Sequence, residues 1–149
     1  MYAAQAAGCA PVVRALEQGL EQPEPVKPAT LAKSIAIGNP ADGFQVLQAI
    51  RTTQGSAAAV DDEAIVRAIR VLAETEGIFT EPAGGTTLAG AIDLIERRVI
   101  PRDEPIVVCI TGNGYKTGEV VSGQMTAPIS LSRKFNDFEA WLESRAAIA

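Results

Sequence analysis

The chain has 149 residues, 47% of them hydrophobic and 21% charged, which is enough for one soluble domain with a buried core. Its net charge of −5 argues against nucleic acid or an anionic membrane surface as the main partner, and no apolar run approaches the ~20 residues of a membrane-spanning helix. With no histidine, a Ser-His-Asp or Cys-His engine and a His-based metal site are excluded within this chain, and two cysteines alone cannot build a structural zinc site.

Residues 2–6 read as a strand, after which Gly8-Cys9-Ala10-Pro11 opens a helix with Pro11 in its first turn. Val12, Val13, Leu16 and Leu20 form its apolar stripe, and Gly19 weakens or ends it. Pro23, Pro25 and Pro28 make residues 21–28 a connector, because prolines forbid a regular central element. Residues 30–37 are short and apolar on one side and stop at Gly38-Asn39-Pro40. Asp42 is placed to cap a second helix that buries Phe44, Val46, Leu47 and Ile50, with Gly55 as its stop.

Residues 56–60 are weak in propensity, but their place between two helices argues for a strand. Asp61 then caps the clearest helix, with Asp62 and Glu63 favouring its dipole and Gly77 ending it. Residues 78–82 read as a short strand broken at Pro82. The next helix starts in Ala83-Gly84-Gly85-Thr86-Thr87 and ends near Arg97 and Arg98. Residues 106–110, Ile-Val-Val-Cys-Ile, have the apolar run of a strand buried on both faces. A further strand is expected over residues 127–131 and an amphipathic helix over 136–147, carrying Phe138, Trp141 and Leu142.

This alternation predicts an α/β fold, a mostly parallel open sheet with flanking helices and right-handed crossovers, in one unit over residues 1–149. A first strand at residue 2, with no earlier element, predicts an unpaired sheet edge or an apolar surface through which the chain docks or self-associates. Cys9 and Cys109 sit far apart in apolar or small-residue settings, which favours reduced, buried thiols. Residues 1–7 lack the charged start and apolar core of a signal peptide, so a cytoplasmic location is expected.

Ligands of open α/β sheets sit beyond the carboxyl ends of the strands. Thr111-Gly112-Asn113-Gly114 falls at such an end, with two glycines that let a ligand approach the backbone; Thr111 serves equally well there as a helix cap. Glu81 is expected at the same edge, following a parallel strand, with Ser34 and Asn39 near a third loop of it. Each of these alone has a plain reading as a dipole, cap or turn residue. Gly84-Gly85-Thr86-Thr87 could bind an anion at a helix start, but it lacks the spacing and lysine of a Walker loop, and close helix–sheet packing is the favoured reading. Lys27, Lys33, Lys116 and Lys134 lack the apolar setting that a catalytic amine requires.

Four stretches, in this order, resemble threonine synthase: Gln5-Ala6-Ala7-Gly8-Cys9-Ala10-Pro11, the 30–40 segment ending in Ile37-Gly38-Asn39-Pro40, Gly77-Ile78-Phe79-Thr80-Glu81-Pro82-Ala83, and Ile110-Thr111-Gly112-Asn113-Gly114-Tyr115-Lys116. The resemblance covers residues 2–131, and residues 132–149 form an added C-terminal helix. The departures are the glycine-rich 83–87 stretch and Gly118, where an acidic residue is more usual.

The resemblance implies the C-terminal part of a fold-type II pyridoxal phosphate enzyme, a lyase of threonine biosynthesis acting on O-phosphohomoserine and water by β,γ-replacement. It implies that Thr111 partners the cofactor's pyridine nitrogen, that the Ser34 segment approaches the cofactor's face, and that Glu81 stands behind them. The cofactor lysine and the phosphate-binding loop would lie in a missing N-terminal part, so the chain alone is expected to be inactive and to bind pyridoxal phosphate weakly or not at all; a homodimer is expected when the enzyme is complete. The rival readings are a sibling lyase (cysteate synthase or threonine dehydratase) and a stand-alone, non-catalytic α/β ligand-binding module.

Overall fold

The computed structural model describes residues 1–123 and 129–146. Two strands, β1 (Tyr2–Ala6) and β2 (Ser56–Val60), pair in parallel, with Tyr2 opposite Ser56 and Ala6 opposite Val60. The chain crosses between them through α1 (Pro11–Glu17) and α2 (Gly43–Thr52), and α3 (Asp62–Glu76) and α4 (Pro82–Glu96) follow. The strand alternation decides which helices lie on which face. Ala3 and Ala57 meet Val12, Val13 and Leu16 on the side of α1 and α2, where Leu47 and Ile50 are also buried. Ala6 and Val60 meet Ile65, Ile69 and Ala89, and Ala58 meets Leu94, on the side of α3 and α4. The alanine-rich strands allow close helix packing: a Cβ built on Gly90 of α4 would lie 2.4 Å from the Ala4 Cβ.

The expected α/β arrangement, a parallel sheet between helices, is present. Local signals fix much of it. The Asp61 carboxylate accepts from the Ala64 N–H at 2.6 Å and caps α3, and Gly77 ends that helix with φ 67°. Gly19 (φ 69°) follows α1, and Pro82 takes the first turn of α4. Asp42 stands at the start of α2 without a side-chain cap, and the left-handed residue after that helix is Gln54 (φ 52°) rather than Gly55.

The sheet is smaller than expected. Among the described residues it has two strands. Residues 78–82 contribute one antiparallel bridge, Thr80 to Asn113, in place of a strand. Residues 106–110 run without ladder pairing, with Val107 92% exposed. They border a cavity of about 530 Å³ whose other wall is Met1–Ala4 at the free edge of β1. A buried parallel strand needs hydrogen-bonded neighbours and covered faces; here the nearest edge lies across that cavity. For the same reason Cys109 is exposed, against the expectation of two buried thiols, whereas Cys9 is buried as expected and both are free. Ala127 and Pro128 of the predicted 127–131 strand lie outside the described residues, and residues 129–131 form no strand. Two short helical segments, a 3-10 turn at Gly114–Thr117 and α5 (Glu119–Ser122), precede α6 (Phe135–Ala146).

Candidate functional site

The carboxyl ends of β1 and β2 are each tied down by a polar side chain. Gln5, the polar residue inside an apolar strand, turns its Oε1 onto the free N–H groups of Val12 and Val13 at 2.9 and 3.1 Å, capping α1. Asp62, just beyond β2, accepts from the Thr30 hydroxyl at 2.5 Å and from the Leu31 N–H at 3.0 Å. Thr30, itself buried, accepts in turn from the Ala32 N–H. Close by, Ala29 donates to the Gly8 carbonyl at 2.9 Å, and a Cβ on Gly8 would fall 1.8 Å from the Ala29 oxygen. The 29–32 segment is thus stitched to both strand ends. It leads into the 3-10 turn Lys33–Ile35, where Ser34 is exposed.

The second part is the clamp between residues 79–81 and 112–115. The Glu81 N–H donates to the Gly112 carbonyl at 3.1 Å, the Thr80 hydroxyl donates to the same oxygen at 2.9 Å, and the Gly114 N–H donates to the Phe79 carbonyl at 3.0 Å. Asn113 caps the turn through its side chain, which accepts from the Tyr115 N–H at 2.9 Å. Phe79 and Tyr115 meet edge to face with centroids 5.4 Å apart. Gly112 and Gly114 let Glu81 and Phe79 pack close: added Cβ atoms would fall 1.7 Å from Glu81 Oε1 and 2.6 Å from the Phe79 ring, so those side chains would have to move.

Glu81 and Thr111 are therefore neighbours, as expected, but through an antiparallel bridge rather than by following two parallel strands. Glu81 is 8% exposed, and its carboxylate stands 4.0 Å from the Lys116 ammonium, beyond hydrogen-bond reach. The Thr111 side chain is exposed, and among the described residues its hydroxyl makes no hydrogen bond. It is available to a ligand. No hydrogen bond or ion pair among the described residues joins Ser34 to either one. Asn39 is exposed in the loop that follows.

The glycine pair of α4 is a packing device. Cβ atoms on Gly84 and Gly85 would fall 2.1 Å from Thr80 Oγ1 and 2.7 Å from Ile69 Cγ1. The favoured packing reading holds, although these two pack against α3 and the 80 loop; the contact with the sheet is made by Gly90.

Comparison with known proteins gives the site its family. The family model described as "Pyridoxal-phosphate dependent enzyme" matches residues 1–112. This chain belongs to the pyridoxal-phosphate dependent enzymes. Among curated relatives of this family, the threonine synthase of Methanocaldococcus jannaschii is 40% identical over 137 residues, covering 91% of this chain and 34% of that protein. The threonine synthase of Methanosarcina acetivorans is 40% identical over 122 residues, covering 81% of this chain and 30% of that protein. The chain thus spans about a third of the length of the curated relatives it matches. Of solved structures, maize serine racemase superimposes with a TM-score of 0.64 at 21% identity, covering 83% of this chain and 38% of that one. A fungal L-serine ammonia-lyase from Rhizomucor miehei gives 0.57 at 18% identity, covering 83% and 41%. These two place the fold among the fold-type II members of the family.

Pyridoxal phosphate asks three things of a protein: a lysine amine, a cradle for the phosphate, and a partner for the ring nitrogen. The Thr111 hydroxyl, unpartnered and open, suits the third. The first two are not met among the described residues. Lys27, Lys33, Lys116 and Lys134 are all exposed, and the Gly84-Gly85 turn is filled by Thr80, Ile65 and Ile69 rather than open as a cradle. The residues present do not make a complete site for the cofactor. Sequence reasoning missed the tie from Asp62 to Thr30, because the two lie 32 residues apart and Asp62 reads locally as a dipole partner of α3. The cap by Gln5 had a visible signal, a lone polar residue in an apolar strand.

Proposed function

We propose that the chain is the C-terminal part of a threonine synthase and contributes one edge of its pyridoxal phosphate site. The complete enzyme then converts O-phosphohomoserine and water to threonine and phosphate. The observation that carries this reading is the 110–114 turn, where exposed Thr111, its hydroxyl without a hydrogen bond among the described residues, precedes Gly112, the backbone partner of buried Glu81; the 40% identity to the M. jannaschii enzyme supports it.

When bound, the cofactor supplies the electron sink. Thr111 would hold the ring nitrogen through its neutral hydroxyl. The Glu81 N–H fixes the Gly112 carbonyl beside Thr111, and the Ser34 turn, which follows the Thr30 and Leu31 bonds to Asp62, would approach the cofactor. The lysine and the phosphate cradle come from the remaining two thirds of the protein, so residues 1–149 alone are inactive and hold no cofactor. The complete enzyme is a cytoplasmic homodimer.

The test joins this chain to the preceding part of the M. jannaschii enzyme and follows phosphate release from O-phosphohomoserine. Activity is expected in the fusion, and no visible absorbance of lysine-bound cofactor in the chain alone. Thr111→Val should lower the fusion's turnover about tenfold, the worth of one hydrogen bond of ~1.4 kcal/mol, and Thr111→Ser should retain it. A fusion that binds the cofactor and deaminates threonine without releasing phosphate would overturn this in favour of a sibling lyase.

A further inference from the structure

Thr80 lies in the loop between α3 and α4 and is 1% exposed. A buried hydroxyl needs a hydrogen-bond partner. The carbonyl of the next residue, Glu81, is 3.3 Å away, yet the shorter bond, 2.9 Å, runs to the Gly112 carbonyl, 32 residues along the chain. That carbonyl also accepts from the Glu81 N–H at 3.1 Å, so residues 80 and 81 engage both of its lone pairs. The bridge from Thr80 to Asn113 continues the same attachment.

Thr111 has no such anchor of its own. Its side chain is exposed and its hydroxyl makes no hydrogen bond among the described residues, so the backbone on either side sets its direction. After it, the Thr80 hydroxyl and the Glu81 N–H hold the Gly112 carbonyl. Before it, the first turn of α4 limits Ile110: a Cβ built on Gly84 would lie 3.1 Å from Ile110 Cγ2. The same Cβ would lie 2.1 Å from Thr80 Oγ1. A threonine relieves such a clash by rotating about χ1, which would turn its hydroxyl off Gly112. The missing side chain at Gly84 therefore gives the Thr80 hydroxyl the room to make its bond. One glycine of the 83–87 stretch thus serves the 110–114 turn as well as helix packing.

We propose that Thr80 is a positioning residue for Thr111: its hydroxyl, given room by Gly84, locks the Gly112 carbonyl and with it the direction in which the Thr111 hydroxyl meets the ring nitrogen of pyridoxal phosphate. This role rests on Thr111 being that partner, as proposed above. Thr80 is buried and acts only through Thr111. Small displacements matter at such a contact, because a hydrogen bond weakens steeply as it leaves alignment.

The test protein is the fusion to the preceding part of the M. jannaschii enzyme. Thr80→Val removes the hydroxyl and keeps the side chain's volume. It should lower kcat about fivefold and leave KM for O-phosphohomoserine unchanged. It should also move the absorbance maximum of the bound cofactor in the same direction as Thr111→Val, and speed hydrogen exchange at Glu81 and Gly114 but not within α3. The unchanged exchange in α3 checks that the variant is folded. Thr80→Ser should restore the native values. Gly84→Ala should reproduce the Thr80→Val signature, and should add nothing in a Thr80→Ala background. Thr80→Val combined with Thr111→Val should be no worse than Thr111→Val alone, because the first residue acts through the second. Native kcat and spectrum in Thr80→Val, beside an impaired Thr111→Val, overturn the positioning role and leave the reading of Thr111 standing. A Thr80→Val loss that adds in full to that of Thr111→Val, or that Thr80→Ser does not repair, overturns the role too. If Thr111→Val itself keeps the native kcat and spectrum, the reading of Thr111 falls and the role of Thr80 falls with it.

Discussion

Residues 1–100 and residues 101–146 share one chain, yet they use their apolar side chains differently. In the first region Leu47, Ile50, Ile65, Ile69 and Leu94 are fully buried between two strands and four helices. In the second, Gly114 and Val121 are the buried residues among those described, while Ile106, Val107, Phe135 and Leu142 face solvent. The difference lies in partners: β1 has β2 on one edge and helices on both faces, whereas residues 106–110 have an open cavity where a neighbouring strand would lie. An apolar run becomes a buried strand only when its hydrogen bonds and both its faces are covered.

The largest effect is expected where cover is complete. Ile65→Ala should cost roughly 2–5 kcal/mol in urea unfolding, because Ile65 is fully buried at the α3–α4 contact. Val107→Ala should stay within about 0.5 kcal/mol. Equal losses at the two positions would mean that residues 106–110 are covered in solution, and would break the contrast. Gly85→Ala tests the same helix contact by overpacking. Its new methyl would fall 2.8 Å from the Ile65 carbonyl oxygen, so a cost of about 1–3 kcal/mol is expected despite the better helix propensity of alanine.

The contrast also explains what could be read in the sequence. The caps at Asp61 and Gly77 and the apolar faces of α1 and α3 were legible, because each depends on neighbours within a turn or two; Pro82 read as the end of a strand but opens α4, and Phe44 of α2, expected inside, is exposed. Residues 106–110 carry a strong strand signal and form no strand, since the signal states a preference and the pairing depends on a distant edge. At the candidate site, the glycines at 112 and 114 pointed correctly to a close approach. What approaches them, however, is the chain's own Glu81 and Phe79. The Thr30–Asp62 tie was not legible, because nothing local predicts a partner 32 residues away.

That tie gives the next prediction. Asp62→Ala removes two hydrogen bonds and leaves the Leu31 N–H and the buried Thr30 hydroxyl without their acceptor. The expected cost is about 1–3 kcal/mol, with faster hydrogen exchange at Leu31 and Ala32 and little change at the amides of α1. If exchange rose equally across the molecule, the tie would be part of the global core rather than a local anchor of the Ser34 turn.

The smallest expected effects concern the thiols, which sample both regions. Cys9 is buried, and burial raises its pKa above the ordinary thiol value, with Arg14 drawing it partly back. Cys109 is exposed. A thiol reagent at neutral pH should therefore modify one cysteine of the folded chain rapidly, and Cys109→Ser should abolish that fast phase. The raised pKa also sets a direction for stability. Below the ordinary thiol pKa both folded and unfolded states hold the Cys9 proton, and no pH dependence arises from it. As pH rises past that value the unfolded chain loses the proton first, so stability falls until the folded-state pKa is passed. Cys9→Ala should shift the whole unfolding curve but flatten this alkaline decline relative to the native chain. An identical decline in both proteins would show that Cys9 stays protonated alike in the folded and unfolded states, and that the alkaline loss arises elsewhere.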